Sequence, residues 1–415
     1  MEHDEQSVIY NEKQSIRAGI ITTTVQNLAN NYFTLFAIAV LGATNYQVSL
    51  ISSLPAIIGL VAILPAAAVL GSLEKRKYFT GYSMIIARFM LLLMVFVPFL
   101  QGTVSAWVFV VLVALMNFPF TFYNLGLQTL LGDIIPKDHR NKYFSERNRI
   151  MTFVSLSITL CIGLVMNKVD SSNPLPFQIL FFAAFSFSIF ELLILRKIRE
   201  KAKTIPKKEK KSLFPKHVFQ HRPYVLFIVT ALVFNFGWQM AWPLFSIFQI
   251  KYAGATVMWV SLFQVANQVS QMVSFAWWGR MAEKYSNAKM LVVATIGMAI
   301  VPAITMLSTN LYYQLLTNLA TGCFVAGTVL LLFNRLLESS VEAESSTYIS
   351  TYNFLLAIVA FIAPQIGVLL LEVFNMNVAL IASAIMRGGG AIFMAYVTYV
   401  VAAKRPIIKY SKGAT

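Results

Sequence analysis

Arg196-Lys197-Ile198-Arg199-Glu200-Lys201-Ala202-Lys203-Thr204-Ile205-Pro206-Lys207-Lys208-Glu209-Lys210-Lys211 stands near the centre of a 415-residue chain that is 58% hydrophobic and only 12% charged. It opens the one long polar segment, 196–222, which holds 11 of the 33 basic residues. Outward from it, apolar runs alternate with short polar breaks. Before it they lie near 18–42, 47–70, 79–101, 104–131, 150–167 and 176–195. After it they lie near 223–250, 255–278, 289–308, 311–334, 348–371 and 377–402. Soluble domains carry about twice this share of charge, and two of them would need polar surface that the chain lacks. A bilayer-spanning helix takes roughly 20 mainly apolar residues, whereas barrel strands are about ten long and alternate. The expected fold is therefore all-α and membrane-embedded: twelve transmembrane helices in two six-helix bundles, 18–195 and 223–402. The polar tails are 1–17 and 403–415, and the basic linker is 196–222.

The net charge of +16 sets the orientation. With both termini and every even-to-odd loop on one side, that side carries 29 of the 33 basic residues, and the other keeps Lys168 and Lys251. The positive-inside rule then places both termini in the cytoplasm. Short loops and the lack of an organelle signal suggest a bacterial cytoplasmic membrane; a monomer is expected. The linker serves as a solvated tether that can meet anionic lipid headgroups. No DNA- or RNA-binding motif accompanies the charge, so no nucleic-acid partner is expected. The first 17 residues lack the order of a cleaved signal peptide, so the first run is expected to be retained. Cys161 and Cys323 lie in separate apolar runs, and His3, His139, His217 and His221 all lie in polar segments. That leaves no metal spacing, no cofactor and no intramembrane catalytic constellation, and an enzyme is not expected.

The halves repeat one another. Leu35-Phe36-Ala37-Ile38 returns as Leu244-Phe245-Ser246-Ile247, offset by 209 residues. Tyr143-Phe144-Ser145-Glu146-Arg147-Asn148 returns as Tyr348-Ile349-Ser350-Thr351-Tyr352-Asn353, offset by 205. Internal repeats of this kind let a site between two bundles open to each side in turn.

Gly279-Arg280-Met281-Ala282-Glu283-Lys284-Tyr285-Ser286-Asn287-Ala288-Lys289, between spans eight and nine, resembles the loop motif Gly-x-Leu-Ala-Asp-Arg-x-Gly-Arg-Lys of the major facilitator superfamily. A shortened copy, Gly71-Ser72-Leu73-Glu74-Lys75-Arg76-Lys77, stands between spans two and three. The resemblance covers essentially the whole chain and implies a secondary transporter working by alternating access. It also implies that these loops latch the inner gate. The glycines let helix ends approach, and the charges pair with neighbouring helix ends. The implied pairs are Arg76 or a neighbour with Asp133, and Lys284 or Arg280 with Glu338, Glu74 and Glu283 taking the acidic positions. Span four carries no mid-helix arginine, and span five lacks the glycine-proline pattern of drug-proton antiporters. Both departures count against a multidrug antiporter.

Amides at helical spacing in apolar runs have no reason to face lipid. Span one carries Thr23, Gln26, Asn27, Asn30 and Thr34, and span seven carries Asn235, Trp238, Gln239, Trp242 and Ser246. The 209 offset maps Gln26 onto Asn235 and Asn30 onto Gln239, so the amide pair recurs in the symmetry-related helix. Span four adds Asn117, Thr121, Asn124 and Gln128, and span eight adds Gln264, Asn267, Gln268 and Gln271. Single amides of this kind often do no more than join helices, at about 0.6 kcal/mol a pair. Four stripes, two of them symmetric, point instead to a hydrated central cavity at the repeat interface. Tyr123, Trp238 and Trp242 offer ring faces for stacking or for core packing. The stripes hold no acid or base, which suits a neutral polar solute such as a sugar or nucleoside. Export of amphipathic drugs and a non-transporting sensor or scaffold are the rival readings. Arg88, Glu191 and Arg387 remain, on spans that are peripheral in the family. A structural Arg88–Glu191 pair or snorkelling accounts for them, against anion recognition by Arg387 or proton coupling through Glu191.

Overall fold

The computed structural model describes residues 2–136, 140–200, 216–341 and 344–401. Most of the expected linker, the C-terminal tail and His139 lie outside the described residues. In order, the helices are α1 (Glu2–Ala29), α2 (Phe33–Ala39), α3 (Asn45–Gly71), α4 (Lys77–Met94), α5 (Thr103–Ile134), α6 (Arg140–Met166) and α7 (Pro174–Lys197). The second half has α8 (Arg222–Ile247), α9 (Val257–Tyr285), α10 (Asn287–Thr305), α11 (Leu311–Glu338), α12 (Ser345–Val373) and α13 (Met376–Tyr396). No strand occurs among the described residues. Ten of the helices are long and apolar enough to cross a membrane. α1 with α2, and α9, complete the twelve spans; these two carry amide stripes, which is why their hydropathy falls lower.

Two spans depart from expectation, one of them twice. α1 begins at Glu2 and runs without a break through the segment read as a polar tail. α6 begins at Arg140, ten residues before its apolar run, because charged residues suit the exposed turns of a helix emerging from the bilayer. Span one is also broken: Asn30–Tyr32 forms a 3-10 turn, and from within it Asn31 Nδ2 donates back to Asn27 Oδ1 on α1 at 2.8 Å.

The packing obeys the repeat. α1 packs on α6 and α7, and α8 packs correspondingly on α12 and α13. α5 lies against α3 and α4 as α11 lies against α9 and α10, and α4–α7 has its counterpart in α10–α13. Between the halves the main contacts are α3 with α12 and α6 with α9.

An even number of crossings puts both chain ends on one face, here called the terminal face. At the opposite, far face a single apolar core spans both halves. It runs from Phe33, Phe36, Phe109 and Phe181 to Leu244, Ile247, Phe248 and Leu380. Phe36 meets Phe109 and Phe181 edge-on, each at 5.1 Å between ring centres. Towards the terminal face the core divides in two. One part belongs to the first half, around Ala18, Met84, Tyr123, Leu130 and Leu195. The other belongs to the second half, around Tyr224, Phe227, Trp278, Leu336 and Tyr348. Hydrogen bonds between the halves follow the same division. At the far face Asn45 Nδ2 donates to Glu372 (2.6 Å), Lys251 Nζ to Asn45 (2.8 Å) and Ser49 to Gln365 (2.7 Å). Deeper, Tyr32 meets Ser261 at 2.8 Å, and Ser155 meets Gln268 at 3.2 Å near the middle of both helices. Among the described residues the halves are thus sealed at the far face and have separate cores at the terminal face.

Candidate substrate cavity

Three cavities lie along the contact between the halves and inside the first half. One, of about 380 Å³, sits directly beneath the far-face seal and is lined from both halves by Asn31, Thr34, Ser246, Gln249, Gln264, Asn267, Gln268 and Asn318. A second, of about 280 Å³, holds Asn30, Thr34, Asn117, Phe120 and Arg88. Thr34 belongs to both, so the two adjoin. The third, of about 450 Å³, lies nearer the terminal face and is lined by Thr22, Thr23, Gln26, Tyr123, Asn124, Gln128, Arg147 and Asn148.

Most of the expected amides are brought together here: Gln26, Asn30, Asn117, Asn124, Gln128, Gln264, Asn267 and Gln268 all line one of the three spaces, as does Tyr123. Others serve the scaffold. Asn27 is buried and acts as a hub. Its Oδ1 accepts from Thr159 (2.9 Å), Ser155 (3.1 Å) and Asn31 (2.8 Å), while its Nδ2 donates to Thr23 O. Gln271 turns inward along its own helix to donate to Asn267 Oδ1 at 2.6 Å.

The symmetric pair on α8 departs most from expectation. Asn235 and Gln239 are only 3% and 7% exposed. Asn235 donates to Ala231 O at 2.8 Å, and Gln239 Oε1 is buried with no partner. Trp238 packs edge-on to Phe234, whereas Trp242 leaves 46% of its surface open. The reason lies in α13. A Cβ on Gly237 would come within 2.7 Å of the Arg387 backbone nitrogen, and one on Gly390 within 2.7 Å of the Phe234 backbone. The two helices touch backbone to backbone, and that fixes the rotation of α8. Arg387 completes the clamp: it is wholly buried and donates to Met298 O (2.9 Å), Gly237 O (3.3 Å) and Trp238 O (3.4 Å). It is bonded into the scaffold rather than free to hold an anion.

Arg147, Asn148, Asn31, Gln249 and Asn318 were missed as lining residues. Arg147 and Asn148 fell in a stretch read as loop, although they belong to the repeated Tyr143–Asn148 segment that marked the symmetry. Arg88 enters a cavity wall as well, so the lining holds bases that the stripes did not. The expected Arg88–Glu191 pair is not closed: none of the three guanidinium nitrogens has a hydrogen-bond partner, and Arg88 instead lies over the Phe120 ring at 5.2 Å.

Of the implied latch pairs, one is present. Arg76 NH1 meets Asp133 at 2.7 Å, and Arg76 Nε donates to Leu70 O at 3.1 Å. Glu200, at the start of the linker, accepts from the backbone N–H of Arg76 (2.8 Å) and Lys77 (3.0 Å), capping α4 from outside. The second pair is replaced. Glu338 accepts from Asn287 Nδ2 at 2.5 Å and from Arg335 at 2.6 Å, one turn back on its own helix. Arg280, Glu283 and Lys284 are exposed on α9, and Lys284 lies against the Tyr285 ring. Asn287 opens α10 beside the end of α11 and reaches the carboxylate first. Glu74 is exposed. Gly71 and Gly279 face open space rather than a neighbouring helix, as expected of loops on the face where the halves are apart.

The sequence pattern of the Major Facilitator Superfamily matches residues 18–364. The chain belongs to that superfamily. Like other members it is a multi-pass membrane carrier of a small solute, not an enzyme. None of the curated proteins matches its sequence. Among solved structures it is similar to the nucleoside transporter NupG, at 10% identity and a TM-score of 0.74, covering 95% of this chain and 100% of that one. It is also similar to a bacterial homologue of the human lysosomal transporter Spinster in an inward-facing, unoccupied conformation. That match has 12% identity and a TM-score of 0.64, over 96% of this chain and 95% of the other. At these identities the likeness is one of fold, and it agrees with the six-plus-six packing of this superfamily member.

Proposed function

We infer that this carrier moves a neutral polar organic solute through the cleft between its halves by alternating access. The observation that carries the reading is the division of the core: one apolar cluster closes the far face, while two separate clusters leave the terminal face parted above cavities rich in amides. The positive-inside rule assigns the terminal face to the cytoplasm. On that assignment the conformation is open inward, and the open space at Gly71 and Gly279 and the unlatched Lys284 fit a parted inner gate. Uncharged donors and acceptors dominate the shared cavity, and these suit hydroxyl- and amide-bearing solutes. Nucleosides belong in that class, and NupG, of similar fold, is named for them.

The reading is tested by thermal stabilisation of the purified protein with a panel of sugars, nucleosides and lipophilic cations. A ligand at 100 times its dissociation constant adds about 2.7 kcal/mol. A neutral polar compound should stabilise the wild type, and Asn30→Ala and Gln268→Ala should lose that response. Stabilisation by lipophilic cations alone, equal in both variants, would put export of amphipathic compounds in its place.

A further inference from the structure

We propose that Glu191 is a proton-binding site that couples the carrier to a proton gradient, with Thr22 and Tyr123 as its connection to the terminal-face cavity and Arg88 as its charge partner. The coupling half of this rests on the carrier reading above; the proton site itself does not.

Glu191 is wholly buried on α7. A carboxylate in such a place is costly unless it is paired and fully hydrogen-bonded. Here it is half satisfied. Oε1 accepts from Thr22 Oγ1 at 2.6 Å and from Tyr123 Oη at 2.7 Å, whereas Oε2 has no partner. Arg88, equally buried on α4, is near enough to act on Glu191 electrostatically but makes no ion pair with it. A structural ion pair would be closed and saturated. This arrangement leaves a buried acid and a buried base within electrostatic reach, with free valences on both, and a proton added to or removed from the acid is the smallest change that alters their balance.

Access has a built direction. Thr22 and Tyr123 both line the terminal-face cavity, so one hydroxyl separates the carboxyl from water there. Arg88 lines a different cavity, beside Asn30 and Asn117. The remaining charged group that acts on Glu191 is Arg147 on α6; α1 contributes only Thr22 to its bonding. With Glu191 ionised, the charge of Arg88 is balanced. With Glu191 protonated, a net positive charge is left at the wall that holds Asn30 and Asn117. The proton state is thereby felt in the solute space. Because the span of α1 and α2 also lines the cavity shared by the halves, closing the terminal face removes water from Thr22 and Tyr123 and traps the proton while the halves rock.

The site is tested without any solute by infrared titration of the full chain in lipid nanodiscs, following the carboxylic-acid C=O band from mildly alkaline to mildly acidic pH. The band should grow on acidification and be absent in Glu191→Gln. Tyr123→Phe keeps the ring and removes one hydroxyl from the carboxylate, so it should displace the midpoint by about one pH unit, the equivalent of one charge-assisted hydrogen bond. It carries the test if the glutamine variant fails to fold. No titrating band in the wild type, the same band in Glu191→Gln, or an unmoved midpoint in Tyr123→Phe would each overturn the site. Coupling is then read in proteoliposomes with a solute from the stabilisation panel and an internal pH dye. Uptake that moves protons in the wild type and not in Glu191→Gln supports it, and uptake without protons in the wild type overturns it. A panel with no stabilising solute would sink the solute reading while leaving the titration intact.

Discussion

α1 and α8 carry the same amide pair 209 residues apart, yet the two helices use it differently. In span one, Gln26 on α1 and Asn30 at its end line cavities, and the helix gives way to a 3-10 turn at Asn30–Tyr32. On α8, Asn235 and Gln239 are buried and the helix is continuous, held by the backbone contact with α13 and by Arg387 across three carbonyls. A sequence repeat therefore guarantees similar helices in similar places, but not similar duties. Which side of a helix meets the cleft is set by its rotation, and that is set by what presses on its back. In this protein the buried Glu191 and Arg88 belong to the first half, and the second half offers its amides to the shared cavity mainly from α9, through Gln264, Asn267 and Gln268, rather than from the α8 pair.

The contrast can be broken most severely at the α8–α13 contact. Gly390→Val forces branched carbons into the Phe234 backbone and should cost about 3 kcal/mol, seen as a large fall in the melting temperature of the purified protein. If Gly390→Val melts like the wild type, α8 is not clamped and the comparison fails.

Next comes the hub. Asn27→Ala removes three side-chain bonds to Asn27 Oδ1, at about 0.6 kcal/mol each in a membrane, so about 2 kcal/mol is expected. Asn235→Ala, its near counterpart, loses one good bond to backbone and should cost about 0.6 kcal/mol. Equal costs for the two would mean that the halves use their amides alike.

The latch loops offer a third, smaller contrast. A double-mutant cycle on Arg76 and Asp133 should give a coupling of about 1 kcal/mol, discounted for partial exposure. A cycle on Lys284 and Glu338 should give none, since Asn287 and Arg335 occupy that carboxylate.

The smallest effect should be a gain. Ser286 holds φ at +97°, a conformation that favours glycine, and it occupies the position at which the superfamily loop motif has its second glycine. Ser286→Gly relieves that strain but gives up a long 3.4 Å cap to Lys289 N, so a net gain of about 0.5 kcal/mol should appear as a slightly higher melting temperature.

The six-plus-six fold was legible because its determinants are local: the length of apolar runs and the one-sided placement of lysine and arginine depend on no tertiary contact. The amide stripes were legible as periodicity for the same reason. What periodicity does not carry is rotation, so nothing in the α8 sequence alone warned that Gly237 would bring α13 close enough to turn Asn235 and Gln239 inward. The break at Asn30–Tyr32 was equally hidden, since asparagine and tyrosine permit both helix and turn. Arg147 escaped because charge marked its segment as loop, when α6 extends through it. Arg88 and Glu191 were seen, but their helices were taken as peripheral. Side chains reach inward from a peripheral helix, and Glu191 meets Thr22 and Tyr123 behind the first rank of spans.

The far-face seal has a further consequence for tempo. Beyond its apolar cluster it is fastened by Asn45 with Glu372 and Lys251, and by Gln365 with Ser49 and Ser53. On the proposed alternating access, each such bond is exchanged for one to water as the halves part, at a net cost of about 1 kcal/mol rather than the full strength of the bond. A purely greasy seal would have to be exposed all at once. A row of polar fasteners can let go one by one, like a zip, so that no single moment of the opening stroke bears the whole load.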